Sequence, residues 1–302
     1  MPRPLLEALA DRPLFFEPVP PNARANPARV ASQIDEVARL AREVPRVDAI
    51  DVPELVDENH EGRPFYRTAD PRTYASEIAD RAAVEVVVNK VVAYLASGAA
   101  VEAWARESVA RGLRHLVLVG GTSRYIPYPG PPVAEADRIV GPIVAAANGR
   151  LGNITIPFRT GEAHRMLAKT RAGAAFFTTQ LVFDGGPVTG MLREYDHLCR
   201  RASIRPAPVL LSFAPLADEQ DTEFVRWLGA ELPEPFERAI VDGTEAEGLA
   251  ESERRAFEVW DATRRAVESE EIGVPLGVNV EQISARHFAP ARQMLRAFAS
   301  RL

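Results

Sequence analysis

Short runs of β-branched and aromatic residues alternate along the whole chain with longer stretches whose apolar positions recur every three or four residues. Runs of the first kind fit strands and stretches of the second fit amphipathic helices. Their alternation is the pattern of βα units wound around a parallel sheet. The first strand is expected at 14–17. Asn26-Pro27 then offers a cap and a first-turn proline for a helix with Val30, Ile34, Val37, Ala38 and Ala41 on one face. Further strands are expected at 47–52, 84–92, 115–121, 153–157, 174–183, 208–213 and 274–280. Helices are expected near 100–111, 133–147, 161–172, 187–202 and 218–228, with a long extra one near 244–270 and a last from about 287. Gly173 stands where the helix at 161–172 should stop.

After the second strand the chain runs through a polar segment, ENHEGRPFYRTADPRTYAS, giving a long loop at about 53–83. Connections in βα units are usually roughly 2–6 residues, and longer ones tend to be functional. Eight strand–helix pairs in 302 residues fit one (β/α)8 TIM-type barrel spanning 1–302 as a single domain. A doubly wound open sheet is the rival, but neither a G-x-G-x-x-G turn nor a Walker A sequence is present.

Composition narrows the class. A 46% hydrophobic chain of this length can bury a large core, and a net charge of −6 argues against nucleic-acid binding. No stretch approaches the roughly 18 apolar residues of a membrane span. The opening MPRPLLEALADRP holds acids and no apolar core, so a secretory signal is not expected. The one cysteine, Cys199, falls within a predicted helix and reads as a buried thiol; a reducing cytoplasm fits. Small-molecule substrates are expected, without a membrane or an obligate protein partner.

A barrel builds its active site where strands end and βα loops begin. Those positions hold Glu17, Asp51, Glu54, Asn89, Lys90 and the run Gly120, Gly121, Thr122, Ser123. Farther along come Phe158 and Arg159, Gln180 and Asp184, Ser212, Asn279 and Glu281. The five histidines are scattered without metal-ligand spacing, and no G-x-S-x-G elbow exists, so no metal or serine nucleophile is expected. Carboxylates, amides and glycines remain, a set suited to hydrogen-bonding a flat polar heterocycle and supplying one proton. Glu17, held between Phe16 and Pro18, is placed for partial desolvation, which raises a carboxyl toward useful acid catalysis. Glu54 stands beside a loop rich in exposed acids, and Asp184 could simply brace the turn before Pro187.

Three stretches in series resemble the methylenetetrahydrofolate reductase family. LFFEPVPP (14–21) is similar to its opening strand, ARGLRHLVLVGG (110–121) to its fourth, and RAGAAFFTTQLVFD (171–184) to its sixth. The resemblance implies a (β/α)8 barrel in which Glu17 is the catalytic acid and Gln180 binds the pterin. It implies reduction of 5,10-methylenetetrahydrofolate, a step of one-carbon metabolism toward methionine. Flavin-containing members end the fourth strand in L-R-G-D, whereas Leu118-Val119-Gly120-Gly121 carries no acid. Their Y-P-E-x-H-P-E loop is replaced by PFRTGEAHRM (157–166), although Lys169 falls where a flavin-contacting lysine is expected.

Those departures resemble the flavin-independent branch, in which NADH gives its hydride directly and no flavin is tightly bound. The alternatives are the same reaction through FAD, or a pterin-binding methyl-transfer protein. Glu54 or Asp51 would then accept from the pterin in place of the missing aspartate, with Asp184 nearby. Gly120, Gly121 and Thr122 would leave room for the nicotinamide beside Ser123. Arg124, Arg159, Arg63 and Arg67 are candidates for the nucleotide phosphates or the glutamate tail, and Phe65, Tyr66, Tyr125 and Tyr128 for stacking.

Overall fold

The computed structural model describes residues 3–56, 68–121 and 126–302. Eight parallel strands close in chain order into a barrel. They are β1 (Leu14–Glu17), β2 (Ala49–Val52), β3 (Glu85–Val91), β4 (His115–Val119), β5 (Arg150–Thr155), β6 (Phe176–Leu181), β7 (Val209–Phe213) and β8 (Leu276–Glu281). The closing seam sets Phe16 beside Val280 and Glu17 beside Glu281. A short α1 (Leu5–Ala8) precedes β1, and single helices follow the next strands: α2 (Pro27–Glu43), α3 (Pro71–Ala82), α4 (Gly98–Ala110), α5 (Val133–Ala146), α6 (Glu162–Ala172) and α7 (Gly185–Arg201). Between β7 and β8 lie α8 (Glu219–Trp227), α9 (Glu234–Val241) and α10 (Glu245–Ser269), and α11 (Phe288–Ala299) closes the chain. The expected (β/α)8 barrel is therefore the fold.

The second half of the expected long loop at about 53–83 is corrected to helix. Asp70 accepts from the Arg72 backbone N–H as a cap, Pro71 occupies the first turn, and Pro71, Tyr74, Ala75 and Ile78 form the buried stripe. The spacing i, i+3, i+4, i+7 exists in the sequence, but polar neighbours obscure it. The extra helix at 244–270 is α10, started by a full capping box between Thr244 and Glu247. Helix α9 was not expected; its Phe236 stacks on Phe183 at 5.1 Å beside the upper end of the barrel wall.

Side-chain alternation then places the site. Phe15, Ala49, Val87, Val117, Phe176 and Leu210 cluster with Leu5 and Leu9 of the α1 segment, forming an apolar plug inside the barrel. Phe15 meets Phe176 edge-on at 5.8 Å, and Gly152 leaves room for the Phe176 ring, which a Cβ there would strike. Their neighbours Phe16, Ile50, Val88 and Leu211 belong instead to the core between strands and helices. With a period of two, Glu17, Asp51, Asn89 and Ser212 must also point inward, one layer above the plug. The interior thus changes from apolar to polar toward the carboxyl ends of the strands.

Candidate active site at the barrel mouth

Three carboxyl groups end adjacent strands: Glu281 on β8, Glu17 on β1 and Asp51 on β2. Asn279 ties them together. Its Nδ2 donates to Glu17 Oε2 at 2.8 Å and to Ser212 Oγ at 3.1 Å, with Glu281 Oε1 at 3.4 Å. Asp51 is wholly buried, and neither of its carboxyl oxygens has a hydrogen-bond partner among the described residues. The Oδ1 atoms of Asn89 and Asn279 are likewise sealed and unpartnered there. Such buried polar atoms are costly unless a ligand or water completes them. Among the described residues, no group of histidine, cysteine, aspartate or glutamate is arranged to hold a metal ion.

Burial raises all three acids. Glu17 is pushed up to about 7, chiefly by loss of water, with the Asn279 bond acting in the opposite sense. Asp51 and Glu281 are raised by burial first and then by the charge of Glu17. The three therefore titrate as a group, and a proton stays on the cluster at neutral pH. A carboxyl near neutrality is suited to give or take a proton at physiological pH.

The sequence places Asn279, Ser212 and Glu281 in the strand-end set without individual roles, and the structure makes them the frame around Glu17. Asn-x-Glu at the end of a strand that closes on LFFE was the available signal.

The remaining candidate substrate residues have protein partners. Glu54 Oε1 accepts from Lys90 Nζ at 2.5 Å, and its Oε2 accepts from the Val91 backbone N–H at 2.7 Å. Glu54 thereby clamps the end of β2 to β3. Glu54→Ala should cost about 1–3 kcal/mol by stranding a half-buried lysine and a backbone donor. It should appear as a lower urea midpoint at unchanged slope; an unshifted midpoint would remove the clamp role. Gln180 donates from Nε2 to the Leu228 carbonyl at 3.1 Å, and its Oε1 accepts from the Leu181 backbone N–H at 2.9 Å. Asp184 caps α7 by accepting from the Gly186 backbone N–H.

On the side expected to receive the nucleotide, Thr122, Ser123, Arg124 and Tyr125 lie outside the described residues, as do Arg63, Phe65, Tyr66 and Arg67. Gly120 borders Val133, and the space a side chain at Gly121 would need is filled by the Tyr128 ring. That ring meets Tyr94 edge-on at 5.4 Å. Arg159 donates through Nε to the buried Glu162 at 2.7 Å. Lys169 sits between β5 and α6, donating from Nζ to the Ile154 carbonyl at 2.7 Å. Burial lowers its pKa, while Glu162 and Asp137 oppose that.

No protein-family model matches the sequence, and no curated protein matches it either. Solved structures do match, over nearly the full chain. An uncharacterized protein from Clostridium thermocellum, which binds two copies of 5-methyl-5,6,7,8-tetrahydrofolic acid, superposes with a TM-score of 0.78 at 14% identity, covering 98% of both chains. Oxaloacetate acetylhydrolase reaches 0.52 at 14% identity, over 99% of this chain and 84% of its own. The 2,3-dimethylmalate lyase structure also reaches 0.52, at 13% identity over 99% and 86%. What is shared is the barrel. No helix among the described residues is long and apolar enough to cross a membrane.

Proposed function

We propose that this chain binds a reduced folate at the barrel mouth and reduces 5,10-methylenetetrahydrofolate to 5-methyltetrahydrofolate with hydride from NADH. The observation that carries the reading is Glu17, an inward carboxyl at about 7 whose oxygen is oriented by Asn279. The folate class draws support from the Clostridium thermocellum barrel, which shares the fold over its whole length and binds a methylated reduced folate.

The chemistry needs little else from the protein. Protonated Glu17 gives its proton to the ring nitrogen that leaves the methylene carbon, and that carbon–nitrogen bond breaks. The resulting iminium cation accepts hydride from the dihydronicotinamide at the same carbon, giving the methyl group and NAD+. The carboxylate left on Glu17 lies beside Asp51 and Glu281, so the cluster presents negative charge to the cation. The unpartnered oxygens of Asp51 are acceptors for the amino and ring N–H donors of a pterin. Gln180 would join them only by releasing the Leu228 carbonyl. Direct transfer also requires the two rings to be stacked, so positioning supplies much of the rate.

The test is anaerobic oxidation of NADH by purified protein, with and without methylenetetrahydrofolate, after recording its visible spectrum. Colourless protein that consumes NADH only when the folate is present is the expected result. Yellow protein, or activity appearing only with added FAD, would replace direct transfer with a flavin route. No oxidation under either condition would remove the reductase and leave folate binding to be tested alone.

A further inference from the structure

Glu17 and Glu281 end neighbouring strands, and two residues beyond each, Val19 and Ile283 enter the wall of a cleft of about 620 Å³. At about 3.3 Å per extended residue, the cleft begins roughly 7 Å from the carboxyl layer. Pro20, Pro21, Phe224 and Ile283 give it an apolar lining, while Arg24, just before α2, and Arg29 and Gln33, in its first two turns, supply polar groups.

The charges around this cleft do not cancel. Asp221 and Arg286 border it but are already committed: Arg286 bonds both Asp218 and Asp221, and Asp221 also accepts from the Ala217 backbone N–H at 2.7 Å and pairs with His287 at 2.8 Å. Arg24 and Arg29 are exposed, and neither guanidinium has a carboxylate partner among the described residues. Two uncompensated forks therefore flank one opening in a chain whose net charge is −6. The Oε1 of Gln33 is sealed from water and unpartnered among the described residues, a buried acceptor awaiting a donor.

We infer that this cleft receives the dianionic end of a ligand whose reactive ring lies at Glu17, with Arg24 and Arg29 binding the two charges. This rests on the folate reading above. Two sources carry such an end: the glutamyl dicarboxylate of the folate and the pyrophosphate of NADH. Gln33 favours the first, because the amide N–H beside a glutamyl group is the donor its Oε1 lacks, and Pro20 and Pro21 offer apolar faces to an aminobenzoyl ring.

The double variant Arg24→Gln/Arg29→Gln tests the assignment by calorimetric binding to wild-type and variant protein. The ligands are 5-methyltetrahydrofolate, the same compound without its glutamate, NADH, and reduced nicotinamide riboside, which lacks phosphate. Arg264→Gln, on the outer side of α10 where Arg264 pairs with Glu268, is the control and should bind as wild type does. The expected result is a loss of about ten- to a hundredfold for 5-methyltetrahydrofolate and little change for the glutamate-free compound. A loss confined to NADH, with the riboside unchanged, would keep the dianion receptor and assign it to pyrophosphate. Unchanged affinity for both intact ligands, with wild-type protein binding folate, would overturn the cleft assignment and leave the folate reading standing. Wild-type protein that binds neither would remove both together.

Discussion

Glu17→Gln is expected to lower kcat by about a hundred- to ten-thousandfold while leaving folate affinity nearly unchanged. Glutamine keeps the size of the side chain and an oxygen for Asn279 Nδ2, so the frame around position 17 survives. What it lacks is the proton that must reach the leaving ring nitrogen. The wild-type pH profile should carry the same signature. Burial holds the carboxyl at about 7, so the protonated acid is abundant below that pH, and kcat/KM should fall as pH rises through it. The residual activity of Glu17→Gln should lack that limb. Glu17→Asp keeps the acid but draws it back by one methylene, so its rate should lie between the two. A glutamine variant at full rate would end the acid role. Loss of folate binding in step with loss of rate would instead make Glu17 a binding residue.

The fold was legible because each layer of the barrel writes a local pattern. LFFE is a strand whose alternate residues separate: Phe15 enters the plug, Phe16 the outer core, and Glu17 the mouth. Contacts made across strands were not legible. Glu54 reads as a free acid in a polar loop, yet Lys90 stands at the end of the next strand and takes it. Only register brings those two together. Lys169 has the spacing of a ligand-contacting residue, but spacing does not say which face of the wall a helix presents, and its amine binds a strand carbonyl beside α6. Gly121 reads as open room, whereas Tyr128 in the same loop folds back over it. Asn279 became the hub of the site only when the closing seam brought β8 to β1, an event with no local trace. Helix α3 was missed for a different reason: its stripe is short and is interrupted by Arg72, Thr73 and Glu77.

Acidification from about pH 8 to about pH 5.5 is expected to stabilise the folded protein. Glu17 moves from its ordinary 4.5 in the unfolded chain to about 7 in the fold. Between those values the folded state holds a proton that the unfolded chain has released. Its contribution is therefore complete below the unfolded value and is lost as pH rises through about 7. A shift of that size corresponds to about 3 kcal/mol for Glu17 alone. Asp51 and Glu281 are displaced in the same direction, so they act with the same sign. A counter-current limits the gain at lower pH. Glu85 is lowered to about 2, chiefly by its bond to His115, and Asp218 and Asp221 are lowered against Arg286 and His287. Those groups stabilise the fold above their unfolded values, and that stabilisation disappears as they protonate in strong acid. Urea midpoints measured from about pH 8 to about pH 2 should therefore rise, pass a maximum at about pH 4 and fall below it. Glu281→Gln removes one of the crowded charges, so it should raise stability at pH 8 and flatten the rising limb. A midpoint that stays level or drops between about pH 8 and about pH 5.5 would mean the three carboxyls are hydrated and ionised in the fold, and the acid assigned to Glu17 would lose its physical basis.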